Sequence, residues 1–84
     1  PGSRLLVFTL GALEPWEADL HVIMNMEDRD VHLPLPELPG LKWYRAIDTA
    51  RDAEGNILRQ ERQEPHRATA CRVAPHSIVV FEGR

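Results

Sequence analysis

Apolar positions along this 84-residue chain recur with the period of a strand, not of a helix. Period-two alternation places successive side chains on opposite faces of an extended chain. RLLVFTLG at 4–11 is dense in Leu, Val, Phe and Thr and is stopped by Gly11, the pattern of a buried strand. ADLHVIMNM at 18–26 puts Leu20, Val22, Met24 and Met26 on one face and Asp19, His21, Ile23 and Asn25 on the other. Such mixed alternation suits a sheet packed on one side and partly covered on the other. EDRD at 27–30 is turn chemistry, with carboxylates placed to bond their own backbone. Lying between two alternating runs, it predicts a hairpin over 20–35.

The returning strand, DVHLPL, aligns Val31, Leu33 and Leu35 on one face. Pro34 and Pro36 have no N–H for a ladder, so this strand belongs at an edge or ends early. The stretch from Pro36 to Leu41 reads as a proline-stiffened connection, and KWYRAID at 42–48 as an aromatic strand. Residues 49–68 predict a long loop with at most a short helical turn. A strand over 70–73, a corner at Pro75 and a last strand over 77–82 complete the chain. No window of helical length carries apolar residues at i, i+3, i+4 and i+7. The expected fold is all-β, a small antiparallel β-sandwich of about six to eight short strands. It forms one domain over 4–84, with Pro1–Ser3 read as an expression scar.

Size and charge narrow the function. A chain this short buries only about 60% of the surface its unfolded form exposes, so its core is thin. Cys71 is the only cysteine, which excludes a disulfide framework and fits a reducing, cytoplasmic setting. No apolar run reaches the roughly 18 residues of a membrane span. Ten Lys plus Arg stand against 13 Asp plus Glu, for a formal charge of −3. The arginines of RDAEGNILRQERQEPHR are interleaved with acids, the composition of a solvated loop rather than a nucleic-acid surface.

Candidate chemistry is sparse. Glycosidic acid–base catalysis needs two carboxylates about 5–9.5 Å apart across a cleft. Asp19, Glu27, Asp28 and Asp30 fall in turns or on solvent faces, and only Asp48, at a strand end, raises the question. His21, His32, His66 and His76 lack zinc-site spacing, although His21 and His32 would face each other across a 20–35 hairpin. Ser77 adjoins His76, but neighbours on a strand point to opposite faces. No catalytic residue, metal ligand or cofactor motif emerges. Trp43 reads as a core or interface residue. Trp16, in the loop LEPWEAD, and Tyr44 remain as aromatic platforms for a sugar, or in the case of Trp16 for a neighbouring domain. The Asp48-Thr49 pair has a structural reading too: Asp48 accepts backbone N–H bonds where the chain leaves the sheet, and Thr49 adds a hydroxyl.

In order, the segments ADLHVIMNMEDRDVHLPLPEL, KWYRAIDTA and APHSIVVFE resemble the C-terminal β-sandwich of isoamylase-type glycogen-debranching enzymes of the α-amylase superfamily. The shared pattern is a strand running into Asn (Val22–Asn25), a return strand into Leu-Pro (Leu33–Pro34), Trp43 followed by Asp48 and Thr49, and a closing Pro75, Ser77–Phe81 strand. The chain departs from it at MEDRD, where relatives often carry an aromatic, and at His76, where they often carry Arg. The resemblance spans roughly residues 4–82 and implies an accessory domain without catalytic residues of its own. Its parent would hydrolyse α-1,6 branch linkages of glycogen or a related glucan. The implied partner is a catalytic (β/α)8 barrel in the same parent chain, which typically takes about 250 residues. Two rival readings stay open: a carbohydrate-binding module for α-glucan and a stand-alone interaction domain.

Overall fold

A computed structural model describes residues 4–14, 16–37, 39–51 and 55–84. It is an antiparallel β-sandwich of six strands: β1 (Leu5–Leu10), β2 (Asp19–Asn25), β3 (Val31–Pro34), β4 (Trp43–Asp48), β5 (Ala70–Val73) and β6 (Ser77–Gly83). One sheet has four strands in the order β1-β2-β6-β4, and the other pairs β3 with β5. Within the expected 49–68 loop, Gln60–Arg62 forms a single 3₁₀ turn.

The inner layer of the large sheet comes from alternate residues of its central strands. Ser77, Val79, Phe81 and Gly83 of β6 are buried, and opposite them in register lie Asn25, Ile23, His21 and Asp19 of β2. β3 and β5 close over this layer, with Val31 opposite Val73 and Leu33 opposite Cys71. Ile23, Trp43, Cys71, Val73, Val79 and Phe81 form the core, and Leu5, Val31, Leu33 and Leu35 pack on its margin. Phe81 sits at its centre, ringed by Trp43 and His66 at centroid separations of 6.5 and 5.2 Å. Full burial of one such side chain contributes on the order of 1.5–3 kcal/mol. The Trp43 indole N–H is satisfied as well, donating to the Pro36 carbonyl at 2.8 Å.

Two expectations change. The 20–35 hairpin does not form, because β2 already has β1 on one side and β6 on the other, leaving β3 no edge to join. The turn at 27–30 instead carries the chain from one sheet to the other, so His21 and His32 never face each other. The run at 4–11 is a strand but not a buried one: β1 is the end strand of its sheet, and all of it but Leu5 is exposed. Of the two faces that alternation gave β2, the more polar one, His21-Ile23-Asn25, is the buried one, while Leu20, Val22 and Met24 face outward and are half-buried.

Burying that polar face requires partners. Asn25 is fully buried, and its side-chain amide donates to the carbonyls of Arg29 at 2.9 Å, Val73 at 3.1 Å and Ala74 at 3.0 Å. Its oxygen accepts the Glu27 N–H at 3.0 Å. One side chain therefore joins the end of β2, the inter-sheet turn and the β5–β6 corner. In that corner His76 adopts φ 52, and its Nε2 lies 2.7 Å from Asp28 Oδ1, tying the same two segments on the outside. His21 is less well served. Its Nδ1 meets the Thr9 hydroxyl at 2.7 Å, but buried Nε2 has no partner.

Two predictions follow from these polar groups. Replacing Asn25 with Ala strands three carbonyls and an amide, and should cost about 2–4 kcal/mol in denaturant unfolding. Burial lowers the His21 pKa from 6.5. The folded protein therefore holds fewer protons than the unfolded chain just below that value. Its contribution to stability is complete above pH 6.5 and is lost as pH falls through 6.5 toward the lowered folded value. The melting temperature should drop between about pH 7 and pH 5, and His21→Gln should flatten that slope.

Candidate functional site

At the end of β4 the Asp48-Thr49 pair is engaged in backbone bonding. Asp48 Oδ1 accepts the Ala50 N–H at 3.1 Å, closing a local turn, and Oδ2 lies 3.4 Å from Arg51 Nε. The Asp48 backbone N–H donates to the Asn56 carbonyl at 2.8 Å, and its carbonyl accepts the Arg51 N–H at 3.1 Å. Thr49 bonds Ile78 twice: its N–H donates to the Ile78 carbonyl at 3.0 Å, and its hydroxyl accepts the Ile78 N–H at 2.8 Å. The corner thus extends the β4–β6 pairing by one residue past the strand end. Every polar atom of that bonding is turned toward the chain itself.

The two aromatic candidates lie apart. Trp16, in the β1–β2 connection, is 80% exposed and borders an open depression with Glu14, Glu17, Leu41 and Arg84. Tyr44 is half-buried on β4, with the Arg84 guanidinium stacked 3.9 Å from its ring centroid. Arg84 therefore occupies one face of Tyr44, and Tyr44 does not line the depression beside Trp16. The histidines are equally dispersed: His66 Nε2 bonds the Ala70 carbonyl at 2.9 Å, His32 is exposed on β3, and Ser77 Oγ donates to the Pro75 carbonyl away from His76. Among the described residues no three His, Cys, Asp or Glu side chains gather into a possible metal site. Cys71 is buried, and burial, then the Asp48 charge, push its thiol pKa up, with Arg45 opposing. That is the environment of an inert hydrophobe.

The pairing register reveals a surface that the linear pattern did not. On the outer face of the four-stranded sheet, Leu6, Met24 and Ile78 form one cross-strand row. Phe8, Val22, Val80 and Ile47 form the next, and Leu10, Leu20, Glu82 and Tyr44 the last. The 3₁₀ turn reaches only its last row, where Gln60 bonds Glu82 at 3.2 Å and Arg84 stacks on Tyr44. Leu6 and Leu10 are 53% and 52% exposed, and Phe8 37%. Each strand's apolar spacing was legible, but which strands lie side by side depends on long-range pairing. Loop segments protect the other edge of this sheet: the N–H groups of Leu58 and His66 donate to Ala46 and Trp43 carbonyls, each at 2.8 Å.

The chain matches no protein-family model and no curated protein. Among the described residues no helix is long and apolar enough to cross a membrane.

The corner generates a prediction. Asp48→Ala removes the turn-closing acceptor and Thr49→Val removes the bond to Ile78, and each should lower stability by about 1–2 kcal/mol. Thermal melts of the two variants decide it; wild-type melting temperatures for both would mean the corner is idle in folding.

Proposed function

We propose that this domain is the non-catalytic C-terminal accessory β-sandwich of an isoamylase-type glycogen-debranching glycoside hydrolase. It packs on a catalytic (β/α)8 barrel of its parent chain, stabilises it, and works in the cytoplasm. The parent, not this chain, cleaves α-1,6-glucosidic bonds. The observation that carries the reading is the apolar outer face of the large sheet. Its rows run continuously across β1, β2 and β6, exposed on β1 and half-buried on β2 and β6. A neighbouring domain laid on that face removes the exposed parts of Leu6, Phe8 and Leu10 from water, at about 25 cal/mol per Å². The residues behind the family resemblance also fall at junctions: Asn25 between the sheets, Pro34 ending β3, Asp48 and Thr49 closing β4, Ser77 opening β6. A sandwich pattern would hold such positions for architecture. The enzymatic role is assigned to the parent because the Asp48 carboxylate is bonded locally, to the Ala50 N–H and Arg51.

A second reading, an α-glucan-binding module, draws on Trp16, whose exposed indole borders an open depression. Stacking on a sugar ring is open to it, whereas Tyr44 already carries Arg84.

The test uses the coding frame upstream of residue 4. If it encodes a barrel, the joined protein should melt higher than the isolated domain. Phe8→Glu or Val80→Glu, on the outer face, should abolish that gain while leaving the isolated domain folded. The isolated chain should not hydrolyse glycogen or pullulan. An upstream frame without a barrel removes the proposal. A Trp16 fluorescence shift on adding maltoheptaose, saturating at or below about millimolar concentration, would replace it with the binding-module reading.

A further inference from the structure

One concave site lies outside the outer face and outside the aromatic candidates. Along the free edge of β4 the chain forms a strap, anchored where the Leu58 N–H meets the Ala46 carbonyl and where the His66 N–H meets the Trp43 carbonyl. Between these anchors runs the 3₁₀ turn carrying Arg62. Beneath the strap is a hollow of about 280 Å³ lined by Arg45, Leu58, Arg62, Glu64, Pro65 and His66.

Its charges are unbalanced. Among the described residues, the side chains of Arg45 and Arg62 make no ion pair and no hydrogen bond, although the chain carries 13 carboxylates to 10 Lys plus Arg. Glu64 borders the hollow without pairing to either. The Arg45 Nε is buried and has no partner, a costly state for a charged donor. Arg45 also stands at a register shift in the β4–β6 ladder, between Arg45 and Ile47, and such bulges re-aim side chains beside functional sites. The strap does not need these arginines to hold its shape. Gln63 does that, donating to the Leu58 carbonyl at 2.9 Å and accepting from Arg84 at 3.2 Å.

We propose that this hollow binds a compact oxyanion of the phosphate class, held between the Arg45 and Arg62 guanidinium groups. A guanidinium presents paired N–H donors in the geometry that phosphate oxygens accept. The size fits: drug-sized ligands occupy about 300–1,000 Å³, so this hollow takes a phosphate or a small phosphate ester and not an oligosaccharide. The site is independent of the accessory-domain reading and of the Trp16 depression.

The experiment titrates residues 4–84 with inorganic phosphate at constant ionic strength, balanced with sodium chloride, and follows amide and arginine side-chain NMR shifts. The expected result is saturation with a dissociation constant of about 1 mM or tighter, with shifts confined to Arg45, Leu58, Arg62 and His66. Arg62→Gln, on an exposed turn, should weaken binding about tenfold without lowering the melting temperature. Arg45→Lys, which keeps the charge and loses the fork, should weaken it as well. A hexose monophosphate as second ligand separates the sources. Equal affinity assigns recognition to the phosphate group alone, and tighter binding to an ester with its sugar; both uphold the site. The proposal is overturned if shifts do not saturate, if chloride alone reproduces them, or if Arg62→Gln binds phosphate as the parent chain does.

Discussion

The buried carboxamide of Asn25 is the constraint on which the two-sheet arrangement depends. A sandwich with only two strands in its second layer has few ways to hold that layer in place. Here β3 and β5 bond to each other but to no strand of the larger sheet. The buried polar link falls mainly to one side chain of β2 that donates to carbonyls of the inter-sheet turn and of the β5 end, beside the Trp43 bond to Pro36 and the outer His76–Asp28 contact. Because these bonds are shielded from water, losing them leaves several buried groups unsatisfied at once, and that asymmetry makes such networks strongly specifying. The packing of Ile23, Val79 and Phe81 against Cys71 and Val73 supplies the attraction; Asn25 sets the alignment.

A thin core has a second consequence. Fewer than half of the large sheet's apolar side chains face the small sheet, and the rest form the outer rows built on β1, β2 and β6. A monomer gains little by exposing them. They make sense on a domain whose outer face belongs against a neighbour, which is why the accessory reading rests on this face rather than on any pocket. β1 belongs to the same logic, since its six residues contain no Lys, Pro or inward-facing charge of the kind that usually protects an edge.

The polar features divide into those used by the fold and those left over. Asp48, Thr49, Asn25 and Gln63 are committed to backbone carbonyls and amides, and His76 with Asp28 braces the junction that Asn25 holds. Among the described residues, the side chains of Arg45 and Arg62 have no hydrogen-bond or ion-pair partner. A charged donor buried without a partner is stable only where something else offsets its desolvation, and the hollow beneath the strap is where a small anion would do so.

What could be read from the chain alone was local. Alternation located all six strands to within about two residues, Pro34 marked β3 as an edge, the described part of the irregular stretch from 49 to 68 held no more than one 3₁₀ turn, and the all-β sandwich class followed. At the Asp48-Thr49 corner the Asp48 carboxylate bonds its near neighbour Ala50, whereas both Thr49 bonds reach across the sheet to Ile78. Three things were decided only by tertiary structure. β3 left β2 because both edges of β2 were occupied by strands distant in sequence. The face carrying His21 and Asn25 went inside because Phe81, Val79 and the β5 strand lay against it, and hydrogen bonds offset the polarity. The outer apolar face, and the hollow that Arg45 and Arg62 both line, emerged only when β1, β6 and the strap were brought together. Period-two patterning says which side chains share a face of one strand; which face is buried depends on the surface that arrives to cover it, and that surface comes from elsewhere in the chain.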